Sequence, residues 1–215
     1  MTDFLYPFIE GDERDAGPLL TDLAASAESK ATTSSALQAA TLREQGAVIE
    51  AAADAMAERF ARGGRLLVFG NGGSSTDAAG VAALFGRPPR GVAIAALDLA
   101  NDPAILTALG NDVGFDLVFS RQVIAHGRPV DIALGVSTSG TSRNVLGALE
   151  EAQRRGILTV GLAGYDGGAM AEAGLDHCLV VRSHSVHRIQ EAQAALAVAL
   201  WRAVHADLDR EAVDA

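Results

Sequence analysis

The sequence RLLVFGNGGSS, residues 65–75, joins a run of apolar residues to a turn of glycine, asparagine and serine. This pattern predicts a buried strand, a tight turn and the start of a helix. Backbone N–H groups at a helix N-terminus favour an anion such as phosphate. The turn departs from the dinucleotide motif G-x-G-x-x-G, because Ser75 replaces the third glycine, and it lacks a P-loop lysine. A phosphate-binding turn is therefore favoured, and a turn without a ligand is the alternative.

A second stretch, DIALGVSTSGTS at residues 131–142, has the same arrangement with hydroxyl groups in place of most glycines. An ordinary helix N-cap is the alternative, but it needs one hydroxyl group and this turn offers several. Gly140 permits an unusual backbone turn among them. Two such turns favour a ligand with a phosphate at one end and a polyol at the other, as in a phosphosugar. The predicted phosphate-binding residues are Ser137, Thr138, Ser139 and Ser142.

Short apolar runs alternate with longer segments of helical periodicity through the rest of the chain. Because these runs are apolar throughout, they indicate a parallel sheet covered by helices on both faces, hence an α/β fold. Ligands of such sheets bind at the carboxyl ends of the strands, where both turns fall. The predicted strands are 66–69, 92–97, 132–136, 158–163 and 178–181, and the predicted helices are 74–85, 103–109, 115–126, 142–155, 169–173 and 186–206.

The N-terminal part of the chain has a different character. Residues 1–17 mix apolar and acidic residues and are interpreted as an N-terminal extension. Residues 18–63 have helical spacing, with a predicted break at residues 32–35 and an end at Gly63-Gly64. We interpret them as a helical oligomerisation segment that precedes a single phosphosugar-binding domain over residues 64–208.

The composition excludes several classes of function. A formal charge of −10 and a pI near 4.9 argue against nucleic acid or an anionic membrane as a partner. With Cys178 as its one cysteine, the chain can form no internal disulfide and no cysteine-based zinc site. We recognise no secretory signal or membrane span in the sequence, so a cytoplasmic location is expected.

Five motifs in order resemble the sugar isomerase (SIS) domain family. Within it, the similarity is to the phosphoheptose isomerase branch and its relative that binds the bacterial replication initiator. The motifs are GNGGSSTDA from residue 70, ALGNDVGFDLVFSRQV from 108, LGVSTSGTSRNVLGAL from 134, GYDGG from 164 and HRIQE from 187.

This resemblance implies a three-layer αβα sandwich with a five-stranded parallel sheet, of the flavodoxin-like kind. It also implies a homotetramer with a phosphosugar site between subunits. The hydroxyl groups of the second turn would hold the phosphate. The implied sugar-binding residues are Asn71, Gly72, Ser74, Asp102 and Gln190.

The chain departs from the family where the resemblance places catalysis. Family enzymes carry a helix pattern like HFAEELTGR after the first turn, whereas this chain has GVAALFGR, although Arg87 still matches. Gly80 stands at the position of the His, and Ala83 and Leu84 at those of the two Glu. Val198 replaces a second His, two helical turns after Gln190. The resemblance implies that, in the family enzymes, a Glu of this helix and the second His transfer protons. Together with the first His, they can also bind a zinc ion. We therefore predict no metal and no cofactor, since only Gln190 remains of four ligand positions.

Three functional interpretations remain open. The favoured one is a phosphosugar-binding protein without the usual acid–base pair, which acts as a binder, a regulator or an enzyme of altered chemistry. The second is an active sedoheptulose 7-phosphate isomerase, an aldose–ketose isomerase with relocated groups: Glu191 as base and His184 or His187 as acid. The third is a protein-interaction module, such as a replication-initiator-binding protein, whose partner docks on residues 1–17.

Overall fold

The computed structural model describes residues 17–214, so the extension predicted over residues 1–17 lies almost wholly outside the described residues. Its helices and strands alternate along most of the chain. They are α1 Gly17–Glu44, α2 Gly46–Ala61, β1 Leu66–Gly70, α3 Gly73–Gly86, β2 Ala96–Asp98, α4 Pro103–Asp112, a 3-10 helix Phe115–Leu117, α5 Val118–His126, β3 Ile132–Ser137, α6 Arg143–Arg154, β4 Leu158–Gly164, α7 Gly168–Glu172, β5 His177–Val181 and α8 Val186–Asp214.

The five strands form one parallel sheet in the order β2-β1-β3-β4-β5. The predicted α/β fold with a five-stranded parallel sheet is therefore confirmed. From β1 the chain adds β2 on one side of the sheet, and then adds β3, β4 and β5 on the other side, so the direction of strand addition changes between β1 and β3. These two strands pair from Leu66 with Ile132 to Gly70 with Val136. Such a switch point opens a crevice at the carboxyl ends of the two strands. Both turns singled out in the sequence lie in this crevice.

The core lies on the two faces of the sheet. One cluster packs α2, α3 and α8 against the sheet, with Met56, Phe85 and Trp201 among its buried side chains. The other packs α5, α6 and α7 on the opposite face around Phe119 and Leu149. Strands β1, β3 and β4 are buried along their whole length, as expected for a sheet covered on both sides.

The N-terminal helices depart from the sequence prediction. The break predicted at residues 32–35 is wrong, because α1 continues through them and ends at Glu44. The hydroxyl groups of Thr32 and Thr33 bond to the carbonyls of Glu28 and Ser29 one turn back, so they do not interrupt the helix. The chain divides into two compact units with the boundary after Ala36. The predicted divisions after residues 17 and 63 stay predictions.

The second predicted strand is also shorter than expected. Residues 92–95 are not part of β2, which covers three residues at the edge of the sheet. Their backbone is held by other elements: the Ile94 N–H donates to the Phe85 carbonyl, and the Val92 carbonyl faces His205 Nε2 at 3.0 Å. Among residues 17–214, none of the helices combines the length and apolar character that crossing a bilayer requires.

Candidate functional site

The turn after β3 gathers three hydroxyl groups at the N-terminus of α6. Ser137 Oγ lies 3.0 Å from Ser142 Oγ and 3.4 Å from Ser139 Oγ. It also accepts a hydrogen bond of 3.1 Å from the Gly140 N–H. These groups converge at the positive end of a 12-residue helix, an arrangement whose chemistry suits an oxyanion.

We call residues 137–142 the phosphate turn, after the role predicted for them from the sequence. A neighbouring turn, residues 164–168, fixes the shape of the phosphate turn. Gly140 has a φ of +64°, and a Cβ there would collide with the Gly167 carbonyl. The Gly140 carbonyl accepts from the Met170 N–H at 2.9 Å, at the start of α7. A Cβ on Gly168 would likewise collide with the Ser139 carbonyl. The two turns approach this closely because glycine stands on both sides of the contact.

The Gly-rich turn after β1 is tied to the phosphate turn by a pair of amides. Asn71 Nδ2 donates to Asn144 Oδ1 at 2.8 Å, and Asn144 Nδ2 donates back to Asn71 Oδ1 at 2.9 Å. Gly72, with a φ of +56°, caps α3, and the hydroxyl-bearing Ser74 is buried behind it. The sugar role predicted for Asn71 is untested, and in this structure its amide is engaged by Asn144. Sequence reasoning missed Asn144, because no motif in the neighbouring sequence distinguishes it from an ordinary helix residue.

Gln190 reaches the Gly-rich turn from the first turns of α8. Its amide lies so close to Gly73 that a Cβ on this glycine would collide with it. Its Nε2 donates to Asp77 Oδ2 at 3.2 Å. Burial raises the pKa of the Asp77 carboxyl above its ordinary value, and the hydrogen bond from Gln190 partly offsets this. Asp77 is thus a second residue of the site that sequence reasoning missed.

A cavity of about 310 Å³ lies between α3 and α8, next to this pair. Gly80, Leu84 and Val198 line it, three of the positions at which the sequence departs from the family pattern. Val136, the residue before Ser137 in β3, also lines it. The remaining lining residues are Thr76, Asp77, Val81, Leu162, Gln193, Ala194 and Ala197.

The proposed replacement catalysts lie elsewhere. His184 shares a cavity of about 540 Å³ with Ser139, Thr141, Tyr165 and Arg182, beside the phosphate turn. Its ring packs edge-on to that of Tyr165, with centroids 6.0 Å apart. His187 is exposed on the first turn of α8.

Glu191 and Asp102 do not line the cavity of His184. Glu191 pairs with Arg188 and lines a cavity with Gln38, and this cavity shares Ala194 and Val198 with the cavity between α3 and α8. Asp102 caps α4, accepting from the Ala104 N–H at 2.8 Å, and lines a cavity of about 780 Å³ with Arg87. This larger cavity shares Gly80 with the cavity between α3 and α8. The structure therefore brings Gln190 and the Gly-rich turn together, but places Asp102, His184 and Glu191 on three other cavities.

Comparison with known proteins agrees with this geometry. The family model described as the SIS domain matches residues 31–164, more than half of the chain. The chain belongs to the SIS domain family. This SIS protein is 42% identical over 175 residues to a phosphoheptose isomerase of Roseiflexus sp. (strain RS-1), covering 80% of this chain and 87% of the relative. It is 49% identical over 138 residues to one of Pelobacter propionicus, covering 63% and 72%.

Solved structures support the same assignment. The structure of phosphoheptose isomerase from Neisseria gonorrhoeae superposes with a TM-score of 0.80 at 35% identity, covering 86% of this SIS protein and 99% of that chain. One from Francisella tularensis gives a TM-score of 0.78 at 32% identity, covering 85% and 98%. The resemblance seen in the sequence motifs is therefore confirmed: this is a SIS protein of the phosphoheptose isomerase type.

Proposed function

We propose that this SIS protein binds a sugar phosphate in the crevice between β1 and β3. One observation carries the proposal: the hydroxyls of Ser137, Ser139 and Ser142 converge at the N-terminus of α6 with the Gly140 N–H. Several donors and a helix dipole at one point suit a dianionic phosphate without a dedicated cation. Thr138, in the same turn, is the fourth proposed phosphate ligand. Gly72, Ser74 and Gln190 then lie on the side where the sugar would extend.

We further propose that the protein lacks the acid–base pair of its enzymatic relatives. The positions matched to that pair and to the zinc ligands hold Gly80, Val198 and, where the family has two Glu, Ala83 and Leu84, none of which carries a titratable or ligating group. The remaining ligand position, Gln190, donates its amide N–H to Asp77. This donor set does not fit a zinc ion. Losing one acid or base typically slows a reaction by about two to four orders of magnitude, so a binding or regulatory role is favoured.

A second candidate function is sedoheptulose 7-phosphate isomerisation, because relatives at 42% and 49% identity are named phosphoheptose isomerase. On this proposal Glu191 acts as base and His184 or His187 as acid. His184 lies in the same cavity as Ser139, but Glu191 lines a different cavity and His187 is exposed, so no acid–base pair is assembled beside the proposed phosphate site. This makes the isomerase the weaker candidate.

Incubation with sedoheptulose 7-phosphate separates the two candidates. A binder is expected to gain thermal stability with ligand concentration and to show no turnover. Ser139→Ala should abolish the stabilisation, and Thr107→Ala, which removes an exposed hydroxyl from α4, should not. Turnover that disappears in Glu191→Ala or His187→Ala would instead establish the isomerase. No stabilisation by any sugar phosphate would overturn the proposal itself.

The assembly and location of the protein are separate proposals. A homotetramer in the cytoplasm is expected, and light scattering and cell fractionation test it. A protein partner is proposed to dock on residues 1–17. Deleting these residues should abolish partner capture and leave sugar phosphate binding intact; a change in sugar binding alone would contradict a docking role.

A further inference from the structure

The cavity that His184 lines, which we call the His184 cavity, lies at the carboxyl ends of β3, β4 and β5. Ser139 and Thr141 of the phosphate turn form one wall. Its other lining residues follow β4 and β5, and they are Tyr165, Asp166, Gly168, Arg182, Ser183 and His184. The volume of about 540 Å³ lies within the range of small-molecule sites. Because Ser139 belongs both to this wall and to the hydroxyl cluster, the cavity borders the proposed phosphate position.

Arg182 brings a positive charge into the His184 cavity. Its guanidinium has no hydrogen bond or ion pair with any of the residues that the structure describes. Arg143, which directly follows the phosphate turn, is by contrast paired with Asp116 at 3.0 Å. The phosphate turn itself contains no basic residue. Arg182 is therefore an unpaired cation beside a turn that has none of its own.

Asp166 adds a carboxylate to the lining of the same cavity. Its Oδ1 accepts from the Gly168 N–H at 3.3 Å, within its own turn. Over residues 17–214 no ion pair joins it to Arg182, so neither charge neutralises the other through direct contact. An anion in the cavity would be attracted by Arg182 and repelled by Asp166. The two residues therefore have opposite effects, which substitutions can separate.

Tyr165 forms the aromatic wall of the cavity. Its φ of +54° lies in the left-handed region, although residues 164, 167 and 168 of the same turn are glycines. A tyrosine in this region costs conformational energy, and residues of this kind cluster at binding sites. Its ring packs edge-on to that of His184, so the two rings hold each other in place. This wall supports a ligand-binding role for the cavity.

The net charge of the protein makes a cation at this position valuable. The chain carries a formal charge of −10, and its field repels a phosphate dianion. The donors of the phosphate turn can hold a phosphate without a cation of their own, but they add no net positive charge. A guanidinium offsets the repulsion, and its planar fork of N–H groups matches two phosphate oxygens.

We propose that Arg182 pairs with the phosphate of a sugar phosphate held on the phosphate turn. Its side chain reaches across the His184 cavity, and its charge raises the affinity for a doubly charged phosphate ester. Asp166 moderates this affinity, because its carboxylate repels the same group. The inference rests on the proposed sugar phosphate function and adds to it a charged ligand from the loop after β5.

Calorimetric titration with sedoheptulose 7-phosphate at low ionic strength tests the role of Arg182. Arg182→Gln should raise the Kd about tenfold, because one charge-assisted hydrogen-bonded pair is lost. Arg182→Lys should give an intermediate Kd, since it keeps the charge without the planar fork. Arg182 is exposed, so neither change should disturb folding. Arg121→Gln is the matched control: it removes the same charge from an exposed residue of α5 outside the lining of this cavity, and should leave the Kd unchanged.

Asp166→Asn supplies a gain of affinity, which misfolding cannot produce. The amide keeps the oxygen that accepts from the Gly168 N–H and removes the negative charge. The Kd for sedoheptulose 7-phosphate should fall about two- to threefold. Raising the ionic strength from about 0.01 M to about 1 M shortens the screening length about tenfold, so the difference between the unsubstituted protein and Arg182→Gln should shrink.

The outcomes separate this role from the proposed function. The role of Arg182 is overturned by an unchanged Kd in Arg182→Gln, by an equal loss in Arg121→Gln, by a lysine variant no better than the glutamine variant, or by weaker binding in Asp166→Asn. Binding by the unsubstituted protein would leave the proposed function intact in each of these cases. If neither sedoheptulose 7-phosphate nor glucose 6-phosphate binds the unsubstituted protein, both proposals fail.

Discussion

Asn71 and Asn144 exchange two hydrogen bonds, of 2.8 and 2.9 Å, across 73 residues of sequence. Asn71 follows β1 in the Gly-rich turn, and Asn144 sits in the first turn of α6, directly behind the phosphate turn. The pair therefore fixes the distance between the two halves of the proposed site. An amide on each side is well suited to this, because each supplies one donor and one acceptor to the other.

A double-mutant cycle measures this link. Asn144→Ala leaves the Asn71 amide without its partner, and we expect the free energy of unfolding to fall by about 1–3 kcal/mol. Asn71→Ala should lower the free energy of unfolding by a similar amount. The double variant should lower it by less than the sum of the two single-variant losses. Denaturant unfolding gives the energies, and sugar phosphate titration should show weaker binding in all three variants. Asn111→Ala, at an exposed asparagine, is the matched control; additive losses would contradict the pairing.

The close contact between the phosphate turn and residues 164–168 gives a second prediction. Gly140→Ala places a Cβ at a positive φ and against the Gly167 carbonyl, so stability should fall by at least about 2 kcal/mol. Sugar phosphate binding should fall more than tenfold, because the three hydroxyls are displaced. Gly147→Ala is the control: it lies within α6 with no atom within 4 Å of a Cβ, and should stabilise the helix by about 0.5–1 kcal/mol. Normal binding by Gly140→Ala would show that the turn needs no glycine.

The sequence predicted the central strands well because their signal is local. β1, β3 and β4 are short apolar runs between turns, and each was predicted to within one residue at either end. The prediction began too early at 92–97, because the Val92 carbonyl contacts His205, which is distant in sequence, and the Ile94 N–H donates to the Phe85 carbonyl at the end of α3. Local patterns carry no information on such partners.

The same distinction applies to the site. The cluster of Ser137, Ser139 and Ser142 could be predicted, because one turn brings its members together. Asn144 and Asp77 could not, since each looks like an ordinary polar residue of a helix. Their contacts are with Asn71 and Gln190, residues that the fold brings close.

Cys178 is expected to be an unreactive thiol. It lies on β5 and is half-buried, and burial raises its pKa to about 11. At pH 8 the thiolate fraction is then on the order of one in a thousand, so reaction with a thiol reagent should be about 100-fold slower than for a free cysteine. The same protein in guanidinium chloride serves as the control and should react at the ordinary rate. A native rate equal to that of glutathione would contradict this burial.

Asp131, directly before β3, carries a carboxylate whose pKa lies well below its ordinary value. Its side chain is 0% exposed, and Arg65 and Arg128 bond to it at 2.9 and 2.8 Å. The backbone N–H groups of the same two arginines also donate to it. These bonds outweigh the effect of burial and lower the pKa of Asp131 to about 2.

Stability should therefore depend on pH through Asp131. Because its pKa is lower in the folded state than in the unfolded chain, its contribution is full above about pH 4 and is lost as pH falls toward 2. A shift from 3.8 to about 2 corresponds to about 2 kcal/mol, allowing for the partial exposure of the arginines. Asp131→Asn should lower the free energy of unfolding by at least this much at pH 7. The difference in stability from the unsubstituted protein should shrink on acidification. Asp116→Asn, which breaks a surface pair with Arg143, should change stability by less than about 1 kcal/mol. A deficit that stays constant from pH 7 to pH 2.5 would show that the Asp131 charge does not hold β1 to β3.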